Sequence, residues 1–383
     1  MKTGNKNVKI FKTTIIAFLV ILMSFMLLLS VSCKKDEAVS EDTKIDIETT
    51  ESTKESEEGV KETAKKSISE LEITGNINLL TGFEISDGVL NSRPFAVMIN
   101  NAGEARPQSG LNKADCVIEV VDEGGITRLI GIFSSKEADI IGPIRSARQY
   151  YAEIARMFDP VYVFWGTYPE GYKIIENMDM DVLTPLGDQS GVSSITANMS
   201  DGKDAWRDSS RVAPHNAYSS SKKLKEAATS NGLLIEGGQT PFSFKLDASE
   251  EKRGTISDIK IDFSVASFAS DFKYDKALNN YKKSTGGVAD VDRETNENLY
   301  FNNVIALVTD IANSGDSAGH MIVRTTGSGK AFFFFDGTVT EGTWERTSIF
   351  DPMVFKDGAG NKVLFNRGST YIGMIQGADR VIY

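Results

Sequence analysis

The sequence predicts an α+β fold in which an N-terminal mixed α/β domain precedes a mostly β C-terminal domain. Strand-like and helix-like patterns alternate up to about residue 236, which is typical of a mixed sheet covered by helices. One pair of strands is joined through Gly124 and Gly125, which indicates a hairpin. From about residue 241 onward, short apolar runs alternate with Gly, Asp and Asn, a pattern typical of β structure.

The chain begins with an export pattern. Four lysines precede an uncharged apolar run over residues 15–29, and small residues lead to Cys33. We therefore expect a lipoprotein signal peptide over residues 1–32 and a lipid at Cys33. The apolar run nearly reaches the roughly 20 residues of a spanning helix, and Ser30 stands where lipoproteins usually carry Leu, so a retained transmembrane anchor is the alternative. Both readings place the rest of the chain on the outer face of the cytoplasmic membrane.

Three further segments follow the signal. Residues 33–78 are rich in charge and lack aromatic residues, which predicts a disordered acidic linker behind the lipidated cysteine. The α/β domain is expected over residues 79–236 and the β-rich domain over residues 237–383.

The first folded elements are predicted to be buried strands at residues 95–99 and 116–121. If Gly124 and Gly125 form a two-residue turn, Val121 pairs with Arg128, and alternation places Glu119, Glu123 and Arg128 on one face. Two carboxylates beside an arginine can act as an acid–base pair, as in glycoside cleavage. They can equally form a structural ion-pair group that stiffens the hairpin.

A helix is predicted over residues 145–157, directly after Gly142 and Pro143. Arg145 and Arg148 would then project from its first turn, with Ser146 as cap or contact. Because that end of a helix favours anions, the two arginines indicate either a bound carboxylate or phosphate or an internal ion-pair network.

His215 and Asn216 end a long loop before a helix predicted at residues 220–229. A histidine whose ordinary pKa is about 6.5 can act as a general base or contact a ligand. A loop of this kind is also an ordinary helix entry, and no nucleophile motif accompanies it.

Composition excludes several classes of protein. A formal net charge of -11 disfavours nucleic acid as a general partner. Cys33 and Cys116 are the only cysteines, and Cys116 lies in an apolar strand, so we expect an inert buried thiol and no disulfide. Two histidines without a CxxC or HExxH motif predict neither a metal site nor a cofactor.

The order of motifs resembles a known family. The stretches that carry the resemblance are residues 94–101, 106–110, 123–128, 142–148, 213–216, 272–275, 342–344 and 366–370. Together they are similar to the YerB-like lipoproteins of Gram-positive bacteria over nearly all of residues 90–383. The resemblance implies an extracytoplasmic lipoprotein with two domains and a family function that is unassigned. Cys116 departs from the aliphatic residue expected there.

These observations favour a membrane-anchored binding or scaffold protein of the cell envelope. Its expected ligand is an anionic group of a cell-wall component or envelope protein, held by Arg128, Arg145, Ser146, Arg148, His215 and Asn216. The alternative is a peptidoglycan-directed hydrolase that uses Glu119 or Glu123 with His215. No motif in the sequence specifies a reaction.

Overall fold

A computed structural model describes residues 71–86, 91–186, 195 and 197–383. These residues all belong to one compact unit, Ala64–Tyr383. The predicted signal peptide, Cys33 and most of the linker lie outside the described residues. Residues 71–78, assigned above to the linker, contact the folded body instead: Ile73 N donates to Phe244 O at 2.7 Å, and Asn78 is buried. Folded structure therefore begins before residue 79.

The described residues form three helices and 22 strands. The helices are α1 (Gln149–Arg156), α2 (Pro169–Glu176) and α3 (Ser221–Ser230). The first strands are β1 (Phe95–Asn100), β2 (Cys116–Val121), β3 (Thr127–Phe133), β4 (Val161–Val163), β5 (Val182–Leu183), β6 (Trp206–Arg207) and β7 (Ala217–Tyr218). The next are β8 (Phe244–Lys245), β9 (Asp258–Ile261), β10 (Ser270–Asp275), β11 (Asn280–Thr285), β12 (Val288–Ala289), β13 (Tyr300–Phe301), β14 (Asn303–Val308) and β15 (Ile311–Asn313). The last are β16 (Met321–Val323), β17 (Gly327–Phe335), β18 (Thr338–Arg346), β19 (Val354–Asp357), β20 (Phe365–Asn366), β21 (Thr370–Ile375) and β22 (Val381–Ile382).

A mixed sheet of ten strands runs through the folded body in the order β19-β18-β17-β14-β21-β2-β3-β1-β4-β5. Strand β21 pairs in parallel with both β2 and β14, so the sheet joins the N-terminal and C-terminal parts of the chain. A second sheet contains β12-β11-β10-β9-β22, with β13 paired to β11. All three described helices precede residue 231, and the later residues are mostly β, which confirms the predicted α+β class.

Apolar side chains cover both faces of the large sheet. On one face Ile118 and Ile130 pack with Tyr151 and Ile154 of α1. On the other face Val117, Leu129 and Tyr371 pack in a second core with Phe272 and Tyr281 of the smaller sheet. A polar side chain on either face of β2 or β3 is therefore buried unless it lies at the end of a strand.

The hairpin between β2 and β3 has a longer loop than predicted. Val121 pairs with Thr127 and Val120 with Arg128, one residue away from the predicted register. Asp122 N donates to Ile126 O at 2.7 Å, and the two glycines adopt positive φ inside a short 3-10 turn, not at the centre of a two-residue turn. Because side chains alternate between faces, this one-residue shift puts Glu119 and Arg128 on opposite faces of the sheet.

The predicted helix over residues 145–157 begins at Gln149 instead. Residues 145–148 are extended because their backbone groups bond to neighbouring segments: Arg145 N donates to Met98 O at 2.8 Å, and Ala147 N donates to Gly166 O at 3.0 Å. Arg145 and Arg148 are therefore not on the first turn of a helix.

Candidate functional site

Arg128 lies at the centre of a buried charged group at the end of the hairpin. Its NH2 nitrogen is 2.6 Å from Asp122 Oδ2 and 3.3 Å from Glu123 Oε2, and NH1 donates to Ser146 O at 2.7 Å. Arg128 is 3% exposed and Asp122 is fully buried. The contact with Asp122 is an ion pair without hydrogen-bond alignment, because Asp122 Oδ2 and Arg128 Nε have no hydrogen-bond partner among the described residues.

Arg148 adds a second guanidinium to this group. Its Nε donates to Glu123 Oε1, and its NH1 donates to Ala147 O at 2.7 Å. Burial raises the pKa of Glu123, but the hydrogen bonds with Arg148 and Asp122 and the charges of Arg148 and Arg128 together outweigh it and lower that pKa to about 2. Burial raises the pKa of Asp122 to about 6 in spite of the charge of Arg128.

Arg145 is the exception among these side chains. It is half-buried, and its guanidinium makes no hydrogen bond or ion pair within the part of the chain that the structure describes. Burial lowers the pKa of Arg145 to about 10, and the like charges of Arg128 and Arg148 lower it further than Asp122 and Glu123 raise it. Three guanidiniums thus face two carboxylates. We call Asp122, Glu123, Arg128, Arg145 and Arg148 the arginine cluster.

His215 lies beside Arg145. Its Nδ1 is 2.8 Å from Asn100 Nδ2, and Asn100 Oδ1 accepts from Ala102 N at 3.0 Å, which fixes the orientation of the amide. An amide nitrogen only donates, so Nδ1 is the acceptor and the proton of the neutral ring lies on Nε2. Burial lowers the pKa of His215, and the nearby charge of Arg145 lowers it further.

The second histidine joins the cluster from the C-terminal part of the chain. His320, at the end of the β15–β16 loop, has Nδ1 2.7 Å from Asp316 Oδ2 and Nε2 3.8 Å from Glu123 Oε1. Its ring centroid is 5.0 Å from that of Tyr168. No sequence pattern gives His320 a role, and nothing local to that loop indicates contact with a hairpin almost 200 residues earlier.

Ser146 and Asn216 hold neighbouring segments together. Ser146 Oγ donates to Trp165 O at 3.2 Å, and its carbonyl accepts from Arg128. Asn216 Oδ1 accepts from Arg207 NH1 at 2.9 Å, and its Nδ2 donates to Arg211 O at 3.3 Å. Both side chains are thus already engaged within the protein.

Glu119 belongs to a separate network on the other face of the sheet. Its Oε1 accepts from Asn101 and Thr127, and its Oε2 accepts from Ser270 at 2.9 Å and Tyr371 at 2.6 Å. Lys283 Nζ lies 3.5 Å from Oε2. We call these six residues the Glu119 network. Glu119 and Glu123 do not form the predicted pair, because Glu119 is fully buried within β2 whereas Glu123 lies in the 3-10 turn after that strand.

The structure therefore brings together Glu123, Arg128, Arg145, Arg148 and His215 among the predicted residues. It adds Asp122, Asn100 and His320, which sequence reasoning missed. Asp122 carried a usable signal, since an acidic residue directly after an apolar strand and six positions before an arginine fits a hairpin ion pair.

Comparison with known proteins identifies relatives of this chain. Family models described as "Protein of unknown function (DUF3048)" match residues 80–234 with the N-terminal domain and residues 259–372 with the C-terminal domain. A protein of Bacillus subtilis (strain 168) named "Putative lipoprotein YerB" is 31% identical over 302 residues, which cover 78% of this chain and 86% of the relative. The chain belongs to the YerB-like family.

The crystal structure of the YerB protein from Bacillus subtilis matches the YerB-like fold described here with a TM-score of 0.67. It is 29% identical in sequence, and the match covers 80% of this chain and 98% of that one. The family description assigns no activity.

Three other features of the described residues concern membrane-spanning helices, metal ligands and the free thiol. Among the described residues no helix is long and apolar enough to cross a membrane, and no three His, Cys, Asp or Glu side chains group as metal ligands. Cys116 is buried in β2, and burial raises the pKa of its thiol well above the ordinary value.

Proposed function

We propose that this chain is a membrane-anchored, extracytoplasmic binding protein of the cell envelope that holds an anionic group of a cell-wall component or envelope protein at Arg145. The export pattern ending at Cys33 and the lipoprotein name of the Bacillus subtilis relative support the anchor. The arginine cluster has three guanidiniums and only two carboxylates, which supports an anionic ligand.

Arg145 is half-buried, and none of the residues that the structure describes pairs with its guanidinium. Partial burial removes water from a charge that no described carboxylate neutralises, which costs free energy. The other two arginines of the cluster already pair with Asp122 and Glu123. An oxyanion from outside the described residues would supply the missing charge.

The donors at Arg145 fit a carboxylate or phosphate. A guanidinium presents parallel N–H donors that match two oxyanion oxygens. The neutral ring of His215 adds an Nε2–H donor because its Nδ1 is engaged by Asn100. This combination binds an anion without supplying a nucleophile.

Calorimetric titration of the full chain in lipid nanodiscs tests the ligand class. The probes are inorganic phosphate and a free cell-wall stem tetrapeptide, which carries carboxylates without sugar. We expect saturable binding of at least one probe, weakened about tenfold or more by Arg145→Ala, because a charge-assisted contact is worth roughly 1.5–3 kcal/mol. Arg324→Ala is the matched control, since Arg324 already pairs with Asp310 at 2.6 Å.

Unchanged binding in Arg145→Ala, or no saturable binding of either probe, would overturn this site. The anchor is tested separately by labelling cells with a fatty-acid analogue. Cys33→Ala should abolish labelling of this chain if Cys33 carries lipid, whereas an unlabelled wild-type chain retained in the membrane would identify a transmembrane anchor instead.

A further inference from the structure

A cavity of about 500 Å³ opens at the seam between the two family regions, and none of its lining residues belongs to the arginine cluster. Asn112, Lys113 and Lys136 line it from the N-terminal region, and Glu297, Asn298 and Tyr300 line it from the C-terminal region. A volume of this size accommodates a small ligand.

The segments that flank the lining of this seam cavity are held together by contacts between the two regions. Gly110 N donates to Asp292 Oδ2 at 2.6 Å, and Ser109 Oγ donates to Glu294 Oε1 at 2.7 Å. Asn112 Nδ2 donates to Thr295 Oγ1 at 3.1 Å and to Glu297 Oε2 at 3.4 Å, and the second bond joins two residues of the lining. The cavity is therefore held in shape before any ligand arrives, which lowers the entropic cost of binding.

The charge of the seam cavity is locally reversed relative to the chain. Lys113 and Lys136 make no ion pair or side-chain hydrogen bond among the described residues, while Glu297 is the one acidic residue of the lining. The lining residues thus carry a net charge of +1 in a chain of net charge -11, and the neighbouring carboxylates of Asp292 and Glu294, outside the lining, already accept from Gly110 N and Ser109 Oγ. A cavity of this kind attracts an anionic group.

Tyr300 supplies the apolar contact. It is 41% exposed, and within the described residues neither its hydroxyl nor its ring has a hydrogen bond or an aromatic partner. The negative face of an aromatic ring attracts weakly positive C–H groups, and one face of a pyranose sugar presents a row of them. Asn298 lies in the same lining, and the side-chain amide of an asparagine can bond sugar hydroxyls.

We propose that the seam cavity is a second binding site, which takes a pyranose sugar bearing a carboxylate or phosphate. The sugar ring packs on Tyr300, the acidic group lies at Lys113 and Lys136, and the hydroxyls bond the polar side chains around them. The site is independent of the anion held at Arg145.

Calorimetric titration of the full chain in nanodiscs tests this site. The probes are glucuronate and glucose 6-phosphate. Glucose, which has the ring without the acidic group, and inorganic phosphate, which has the acidic group without the ring, are the controls. We expect one or both acidic sugars to bind at least about tenfold more tightly than glucose or phosphate alone, because ring and charge contribute together. Which acidic sugar binds identifies the anionic group.

Tyr300→Ala and Lys113→Gln should each weaken that binding about fivefold or more, whereas Tyr300→Phe and Lys252→Gln, an exposed lysine outside the cavity, should not. Arg145→Ala should leave it unchanged, which separates this site from the proposed function. Failure of both acidic sugars to bind overturns the proposal. In the Arg145→Ala variant, which lacks the proposed anion site, binding of inorganic phosphate as tight as that of the acidic sugars and unaffected by Tyr300→Ala also overturns it, because the cavity would then be a bare anion site.

Discussion

The Glu119 network and the arginine cluster lie on opposite faces of the same hairpin, and they differ in how far their buried charges are paired. Glu119 accepts four side-chain hydrogen bonds and lies close to the ammonium of Lys283. Arg145, in contrast, is half-buried without a described partner. The fold satisfies a buried charge where it joins the two sheets. On the other face, the proposed anion would supply the counter-charge that no described residue gives Arg145.

The largest loss of stability is expected from a substitution in the Glu119 network. Glu119→Ala removes the shared acceptor of Asn101, Thr127, Ser270 and Tyr371 and leaves Lys283 with Asp290 as its remaining ion-pair partner. The free energy of unfolding should fall by about 3–5 kcal/mol, as for other broken buried pairs. Urea unfolding measures it, with the exposed Glu250→Ala as control. A loss below about 1 kcal/mol would show that the network contributes little to joining the sheets.

A smaller, pH-dependent effect is expected from Asp122. Its folded pKa of about 6 lies above the ordinary 3.8, so the native state keeps a proton that the unfolded chain releases. Stability contributed by Asp122 is therefore complete below about pH 4 and is lost as the pH rises to about 6. The loss is at most about 3 kcal/mol.

Urea unfolding between pH 4 and pH 7 checks this, because Asp122→Asn should remove that fall in stability. Asp258→Asn, at an exposed carboxylate, should leave it in place. Glu123 acts in the opposite sense at lower pH: its pKa of about 2 adds stability as the pH rises from about 2 to 4.5. Identical profiles for wild type and Asp122→Asn would contradict the raised pKa.

The smallest stability effect is expected at Arg145. Arg145→Ala breaks no described ion pair, so the free energy of unfolding should change by less than about 1 kcal/mol. Arg148→Ala is the matched comparison, since it removes the hydrogen bond to Glu123 and should cost about 2 kcal/mol. Equal losses in the two variants would mean that Arg145 has a structural partner after all.

Much of the fold follows from local pattern. The apolar strands β1 to β3, the hairpin glycines and the helix after Ser220 are encoded by residues close in sequence, and Ser220 Oγ accepts from Lys223 N at the start of α3. The hairpin register could not be predicted from the local sequence. Two adjacent glycines fit both a two-residue turn and the longer loop that places Asp122 against Arg128.

The site was predictable only in part for the same reason. Arg145, Arg148 and His215 stood out as residue types, but their arrangement depends on backbone bonds to Met98 and Gly166, which are distant in sequence. The contacts of Glu119 with Ser270, Lys283 and Tyr371 depend on the pairing of β2 with β21 and on the packing of the second sheet. Long-range pairing of this kind leaves no periodic signal.

The most direct test of the anion site is the pKa of His215, measured by NMR titration of the full chain in nanodiscs with and without inorganic phosphate at constant ionic strength. We predict a pKa below the ordinary 6.5 in the wild type, because of burial and the charge of Arg145, and a rise when phosphate binds. In Arg145→Ala the pKa should be higher from the outset and insensitive to phosphate. The same pKa in both proteins, or an equal response to phosphate, would contradict an anion site at Arg145.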